Sequence, residues 1–367
     1  MPIVVDLDGT LTFTDTLWET LFALARERPL DLSSSLLQLR QGRAVFKAHL
    51  ASRTAIDCHA LPLNIELVAW LHAEKAAGRS LVLATASDRR IAHAVADHVG
   101  LFDDVLASDG RRNLKGPAKA SALVERFGQG GFDYVGDSRA DLPVWAAARQ
   151  AIVVGGEDLA RRAAQVAEVT RRFAPPPRAA ALLKALRPHQ WVKNLLLFLP
   201  LLAAHQLGDG RALFAATMAF LVFGLTASSV YLLNDLLDLA ADRAHPRKRR
   251  RPFAAGVLPL AWGVALSPLL LLIAFSLSVL FLPWQFTLIL GGYYLLTTAY
   301  SFGLKRKPVV DVILLAALYT VRVIAGAAAV LIAPSFWLLS FSMFIFFSLA
   351  LSKRYTELDS LRQRGEL

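Results

Sequence analysis

From Pro252 to Leu304 the chain carries no Asp, Glu, Lys or Arg. A soluble domain has no use for so long an uncharged run, whereas a helix crossing a bilayer needs about 20 apolar residues. The run therefore holds two spans, with Leu282-Pro283-Trp284-Gln285 as the hairpin between them. Apolar segments at about 191–206, 212–234, 308–331 and 335–352 bring the expected number of spans to six. All are expected to be helical, because lipid offers no partner to an unpaired backbone group. The 55% apolar content and mean hydropathy of +0.45 of this 367-residue chain are concentrated in this half.

Charge placement orients the expected bundle. A net charge of +11 suggests nucleic acid as a partner, but position argues against it. The cations cluster at Arg243 and Arg247 to Arg251, at Lys305, Arg306 and Lys307, and at Lys353, Arg354, Arg362 and Arg364. The alternate loops near 205–211, 282–285 and 332–336 hold a single Lys or Arg, Arg211. This asymmetry predicts a multi-pass protein of the inner (cytoplasmic) membrane, with the basic loops and everything before Arg187 on the cytoplasmic side. Cys58 is the sole cysteine, so neither a disulfide framework nor a cysteine metal cluster is expected. Met1-Pro2-Ile3-Val4-Val5 leads straight into a motif, so no signal peptide is expected.

The segment ending at Asn234 runs into Asp235, Asp238 and Asp242, and then into the basic loop His245-Pro246-Arg247-Lys248-Arg249-Arg250-Arg251-Pro252. On one helix the three acids would share a face. Acids crowded at the end of a membrane helix repel one another. A divalent cation removes that cost, and Mg²⁺ accepts a few carboxylates while keeping positions open for phosphate oxygens. Lys248, Arg249 and Arg251 suit the same phosphates. The plain alternative is a solvated, charged helix end. Arg322 stands in the middle of the 308–331 span. A buried cation is costly unless paired or hydrated, so it is expected to face the bundle interior. Its partner there would be an acid or a phosphate; Asp311, three turns earlier, lies on nearly the same face.

NDxxDxxxD followed by a basic, RP-containing loop resembles the UbiA superfamily of intramembrane transferases, from about Leu186 to the carboxyl terminus. Arg187-Pro188-His189-Gln190-Trp191-Val192-Lys193-Asn194 resembles the first-helix entry of its decaprenyl-phosphate phosphoribosyltransferase-like branch. The resemblance implies that Mg²⁺ holds a pyrophosphate near two acidic clusters. Asn234, Asp235, Asp238 and Asp242 would be the first, and Lys193 and Asn194 would contact substrate. At the second position Lys353-Arg354-Tyr355-Thr356-Glu357 lacks a plain DxxxD, leaving Lys353, Arg354 and Glu357 as candidates and a basic membrane-interface anchor as the alternative. The resemblance also implies more spans than six. Residues 187–367 are therefore expected to form an all-α polytopic bundle that is incomplete.

Residues 1–173 alternate short apolar strands with amphipathic helices, the pattern of a parallel α/β sheet. Strands are expected at Ile3–Val5, Ser80–Ala84, Asp104–Ala107, Phe132–Val135 and Ala151–Val154. After the first comes Asp6-Leu7-Asp8-Gly9-Thr10. Two acids one residue apart at a strand end can both face a crevice, one attacking phosphorus and the other protonating the leaving oxygen. DxDGT resembles the haloacid dehalogenase (HAD) superfamily. That likeness implies a Rossmannoid sheet with a helical cap at about 15–70, Thr85 as a phosphoryl hydrogen-bond donor, and Asp137 and Asp141 joining Asp6 and Asp8 around Mg²⁺. It also implies a lysine for transition-state charge: Lys119, with Lys115 as runner-up. Trp18, Phe22, Arg43, Phe46 and Lys47 of the cap are either substrate contacts or cap packing. Ala174-Pro175-Pro176-Pro177 reads as a stiff linker, followed to Leu186 by a short amphipathic helix.

Together the resemblances imply a bifunctional membrane enzyme. Its membrane half would transfer 5-phosphoribose from phosphoribosyl pyrophosphate to a polyprenyl phosphate, and its HAD half would dephosphorylate the product. The alternatives are a prenyltransferase using a prenyl diphosphate beside an unrelated phosphatase, and a non-catalytic scaffold.

Overall fold

The computed structural model describes residues 1–28, 30–302 and 308–363; Lys305, Arg306, Lys307 and Arg364 of the charge pattern lie outside the described residues. The chain forms two compact units, Met1–Leu182 with Asp235–Trp262, and Leu183–Asn234 with Gly263–Leu367. A segment of the sequence's membrane half thus belongs with the first unit.

The first unit is built on six parallel strands: β1 (Ile3–Val5), β2 (Leu81–Asp88), β3 (Asp104–Ser108), β4 (Asp133–Gly136), β5 (Gln150–Val154) and β6 (Glu168–Phe173). Their order is β3-β2-β1-β4-β5-β6. Five were expected. β6 escaped because Glu168-Val169-Thr170-Arg171-Arg172-Phe173 contains no apolar run; it is an edge strand, mostly exposed, held by its ladder to β5. β2 runs further than expected, so Thr85 lies inside it rather than after it.

β1 pairs with β2 on one side and β4 on the other. The chain reverses its direction of travel across the sheet there, and such switch points at strand carboxyl ends are where open α/β sheets bind ligands. Leu67, Leu71, Ile91 and Val95 cover one face of the sheet, and Leu123, Val144 and Trp145 cover the other. Fully burying a side chain of Phe132's size contributes about 1.5–3 kcal/mol. The cap comprises helices Thr16–Glu27, Asp31–Leu37 and Arg43–Arg53, with Leu24, Phe46 and Leu50 as its own small core. Asp15 starts the first of these by accepting from the amides of Leu17 and Trp18. The expected cap limit near residue 70 falls too late, because helix Ile65–Ala76 packs Leu67 and Leu71 into the sheet core.

The Asp235–Trp262 segment joins this unit through a buried ion pair. Arg243 donates to both carboxylate oxygens of Glu19, at 2.6 and 3.0 Å, and its Nε donates to the Ala254 carbonyl at 3.0 Å. Removing one partner of a buried pair costs about 3–5 kcal/mol, since the other is left uncompensated. Glu19→Ala is therefore expected to lower the thermal midpoint of this unit in detergent-solubilised full-length protein. An unchanged midpoint would contradict a buried pair.

The second unit is helical. The long helices are Gly210–Leu237, which crosses from one unit to the other, Leu260–Phe281, which does the same, Trp284–Phe302, Pro308–Ala329 and Phe336–Gln363. Four helices among the described residues are long and apolar enough to cross a membrane: Gly210–Leu237, Leu260–Phe281, Val309–Ala329 and Phe336–Thr356. Only 17% of the second and 11% of the fourth is buried within the protein, so their apolar sides suit lipid. Ser229 and Ser267 donate to each other's carbonyls at 2.7 and 2.9 Å, a polar link between two apolar helices. The expected span at 191–206 is not one helix. Pro188–Phe198 winds as a 3₁₀ turn and Leu199–Ala203 as a short helix. Pro200 lies in the first turn of that short helix, where its missing amide is tolerated, so a new helix begins there instead of one continuing. Gly326 lets the turn approach: a Cβ there would lie 2.1 Å from the Leu197 carbonyl oxygen.

Candidate active sites

The phosphatase-like centre gathers at the carboxyl ends of β1 and β4. One carboxylate oxygen each from Asp6, Asp137 and Asp141 lies within 4.8 Å of the others. Lys119, on helix Pro117–Phe127, places Nζ 2.9 Å from Asp6 Oδ1, so it, and not Lys115, reaches the expected nucleophile; Lys115 lines the cavity. Lys119 also donates to the Tyr134 hydroxyl at 2.9 Å, which donates to Asp141 Oδ1 at 2.9 Å. Asp141 Oδ2 accepts from the Asp137 and Ser138 amides and the Ser138 hydroxyl. It therefore fixes the loop, leaving Asp6 and Asp137 as the freer donors. Gly9 makes room for them: a Cβ there would lie 2.1 Å from Asp137 Oδ2.

The structure does not bring Asp8 into that triplet. Its carboxylate accepts from the Thr16 amide at 2.8 Å and the Ser87 hydroxyl at 2.6 Å. Thr85 is fully buried, its oxygen accepts from the Ser87 amide, and the cavity is lined by Ala86 instead. Sequence reasoning missed Tyr134 and Ser87. Tyr134 reads as one more apolar residue of its strand, and Ser87 sits two places beyond the residue that carried the motif.

Above the acids lies a cavity of about 580 Å³ lined by Asp6, Asp8, Trp18, Arg43, Phe46, Lys47, Lys115, Lys119 and Asp137. Phe22 instead packs beside Trp18 and outside it. Burial, with the charges of Asp141 and Asp8, raises Asp6 to about 6 against the opposing pull of Lys119. Burial and then Asp6, Asp141 and Asp8 push Asp137 well above the usual carboxylate range. Burial, then Asp15, raises Asp8. The centre holds more negative charge than Lys119 compensates, and its donors are hard oxygens, so the residues fit Mg²⁺.

The acidic motif of the membrane half is arranged otherwise than one helix face predicts. Helix Gly210–Leu237 stops before Asp238, which starts the short helix Leu239–Ala244 with a non-helical backbone. The break separates the acids. Arg251 Nη1 bridges Asp235 at 3.1 Å and Asp242 at 2.7 Å, both buried, while Asp238 accepts from Arg26 at 2.9 Å. Two buried carboxylates that both reach one guanidinium nitrogen still suit a divalent oxygen-seeking cation. Asn234 Oδ1 is buried with no hydrogen-bond partner, a group awaiting a donor or a cation. Lys248 and Arg249 are exposed in a 3₁₀ turn and are not brought to these acids.

In the second unit Arg322 is 6% exposed and, among the described residues, takes neutral hydrogen-bond partners. Its Nε donates to Asn194 Oδ1 and its Nη2 to the Tyr293 hydroxyl, both at 3.0 Å, and Nη1 donates to the Leu318 carbonyl. The guanidinium lies over the rings of Tyr293 and Tyr319. Asp311, the expected acid, instead accepts from the Tyr300 hydroxyl at 2.5 Å. Asn194 Nδ2 is buried and unpaired, and Lys193 lies over the Tyr319 ring. Lys353 and Arg354 lie on helix Phe336–Gln363; the side chain of Glu357 lies outside the described residues.

The profile of the UbiA prenyltransferase family matches residues 195–365, and that of the haloacid dehalogenase-like hydrolases matches residues 3–146. The chain thus carries two domains, one of the UbiA prenyltransferase family and one of the haloacid dehalogenase-like hydrolases. A Sinorhizobium fredii protein called uncharacterized protein y4nM is 40% identical across 100% of this chain and 73% of its own length. The decaprenyl-phosphate phosphoribosyltransferase of Mycolicibacterium smegmatis is 39% identical over 55% of this chain, which spans 65% of that relative. A substrate-bound phosphoserine phosphatase structure is similar over 47% of this chain and 91% of its own, at 15% identity and a TM-score of 0.33. This UbiA–HAD fusion is thus a membrane protein with two families of enzyme chemistry in one chain.

Proposed function

We propose that the UbiA domain transfers 5-phosphoribose from phosphoribosyl pyrophosphate to a polyprenyl phosphate, and that the HAD-like domain removes the 5-phosphate from the lipid-linked product. The observation that carries this reading is the assembled Asp6–Lys119–Asp137 centre in the same chain as a UbiA domain. A product that keeps a phosphomonoester gives that centre a task, whereas prenyl transfer to an aromatic ring leaves none. Arg322, buried among neutral partners beside the unpaired Asn194 Nδ2, supports an anionic substrate in the membrane half. The clustering of cations in alternate loops supports a cytoplasmic position at the inner membrane for both centres.

In the HAD-like site a carboxylate oxygen of Asp6 attacks phosphorus as the bond to the sugar oxygen breaks. Asp8, two residues on at the same strand end, is the group placed to give that oxygen its proton. Water then adds to the same phosphorus, giving its proton to Asp8, and Asp6 and inorganic phosphate are released. Lys119 meets the charge on the phosphoryl oxygens. Mg²⁺, held by Asp6 and Asp137 here and by Asp235 and Asp242 of the other acidic motif, would neutralise phosphate charge.

Membranes holding the full-length protein, given labelled phosphoribosyl pyrophosphate and polyprenyl phosphate, are expected to move label into lipid. Label that stays in the aqueous phase, while a prenyl diphosphate is consumed, would favour prenyl transfer.

A further inference from the structure

Beside the phosphatase cavity lies a second one, of about 490 Å³, which the reaction itself does not use. Asp8, Asp15, Trp18 and Asp137 line both; Asp6 lines only the first. The two cavities therefore adjoin at Asp8, so a ligand whose phosphomonoester sits at Asp6 has room to extend past Asp8 into the second. Arg139, Arg162 and Arg178 line that space, and none of them meets a carboxylate among the described residues. Of the acids that line the same space, Asp158 is paired with Arg161, and Asp8 accepts from Thr16 and Ser87. Phe13, Val257, Pro259 and Leu260 line it as well. Leu260 begins the Leu260–Phe281 helix, which is long and apolar enough to cross a membrane.

The shape of this cavity is set by a close approach. Gly256 has φ +71°, and a Cβ there would lie 2.7 Å from Phe13 Cβ and 2.9 Å from Pro62 Cγ. The loop before the span is thereby held against the loop that follows the DxD motif. A soluble sugar phosphate would use neither the apolar wall nor arginines remote from its one phosphate. A ligand with a second phosphate and a hydrocarbon tail would use both.

We propose that this cavity binds the phosphodiester and first isoprene units of a lipid-linked sugar phosphate, making the HAD-like domain a phosphatase selective for membrane-borne monoesters. The inference rests on the reading above for the presence of a diester, but it does not require the transfer step. The arginines take the diester oxygens by charge-assisted hydrogen bonds, and the wall formed by Phe13, Val257 and Leu260 takes the apolar chain.

The test uses detergent-solubilised full-length protein and two synthetic monoesters, farnesyl-phosphoryl-ribose 5-phosphate and ribose 5-phosphate. The intact protein is expected to show a KM at least about tenfold lower for the farnesyl compound, the effect of a single good ionic contact. Arg162→Ala with Arg178→Ala is expected to erase that preference while leaving KM and kcat for ribose 5-phosphate unchanged, which also reports that the protein is folded. Equal KM values in the intact protein, or equal losses on both substrates in the double variant, would overturn the inference. Both substrates are supplied ready-made, so failure of label to enter lipid would count against the transfer reaction alone.

Discussion

Asp6→Asn is expected to reduce phosphate release by at least about a thousandfold, the scale on which loss of a covalent nucleophile is felt. The amide has the shape of the carboxylate but cannot form the acyl phosphate. It also deprives Lys119 Nζ of the charge 2.9 Å away, so the gathered carboxylates fall from three to two. Transfer of label into lipid is expected to continue, because the contacts of Arg251 with Asp235 and Asp242 do not involve Asp6. The assay is inorganic phosphate release from ribose 5-phosphate by the full-length chain. Normal release by the variant would remove Asp6 from the role of nucleophile. A fragment ending at residue 173 is a poorer choice, because Asp235–Trp262 packs with the phosphatase domain through Arg243 and Glu19.

Asp235→Ala is expected to have the converse effect, lowering lipid labelling at least about a hundredfold while ribose 5-phosphate is still hydrolysed. Asp235 and Asp242 now oppose one Arg251 guanidinium. With Asp235 gone, the site loses one of the two buried carboxylates that Arg251 bridges, and its attraction for a divalent cation falls. Labelling at the wild-type rate in saturating Mg²⁺ would exclude Asp235 from holding the metal.

Both enzyme families were legible from short motifs, because their chemistry demands acids at fixed spacings after a strand or a span. Asp6, Lys119, Asp137 and Asp141 converge as their strand and helix positions suggested. What the spacing could not convey was where the chain breaks. Asp235, Asp238 and Asp242 fit one helical face only if the helix continues, and it ends at Leu237. Thr85 was placed by its distance from an apolar run, but the strand continues to Asp88 and buries it. β6 was invisible because an edge strand held by backbone bonds needs no apolar pattern. Arg322 showed the opposite strength: a lone cation in an apolar span announces an interior position, although Asn194 and Tyr293, its partners, lie 128 and 29 residues away.

The joint working of the two halves is read from the lipids themselves. A product anchored in the membrane meets a phosphatase tethered in the same chain at high effective concentration. Membranes containing the Asp6→Asn protein, supplied with labelled phosphoribosyl pyrophosphate and polyprenyl phosphate, are expected to accumulate a labelled lipid that still carries the 5-phosphate. The intact protein is expected to yield mainly the dephosphorylated lipid, separated from the first by charge on anion-exchange chromatography. The same labelled lipid from both proteins would contradict the coupling and assign the HAD-like domain to another substrate.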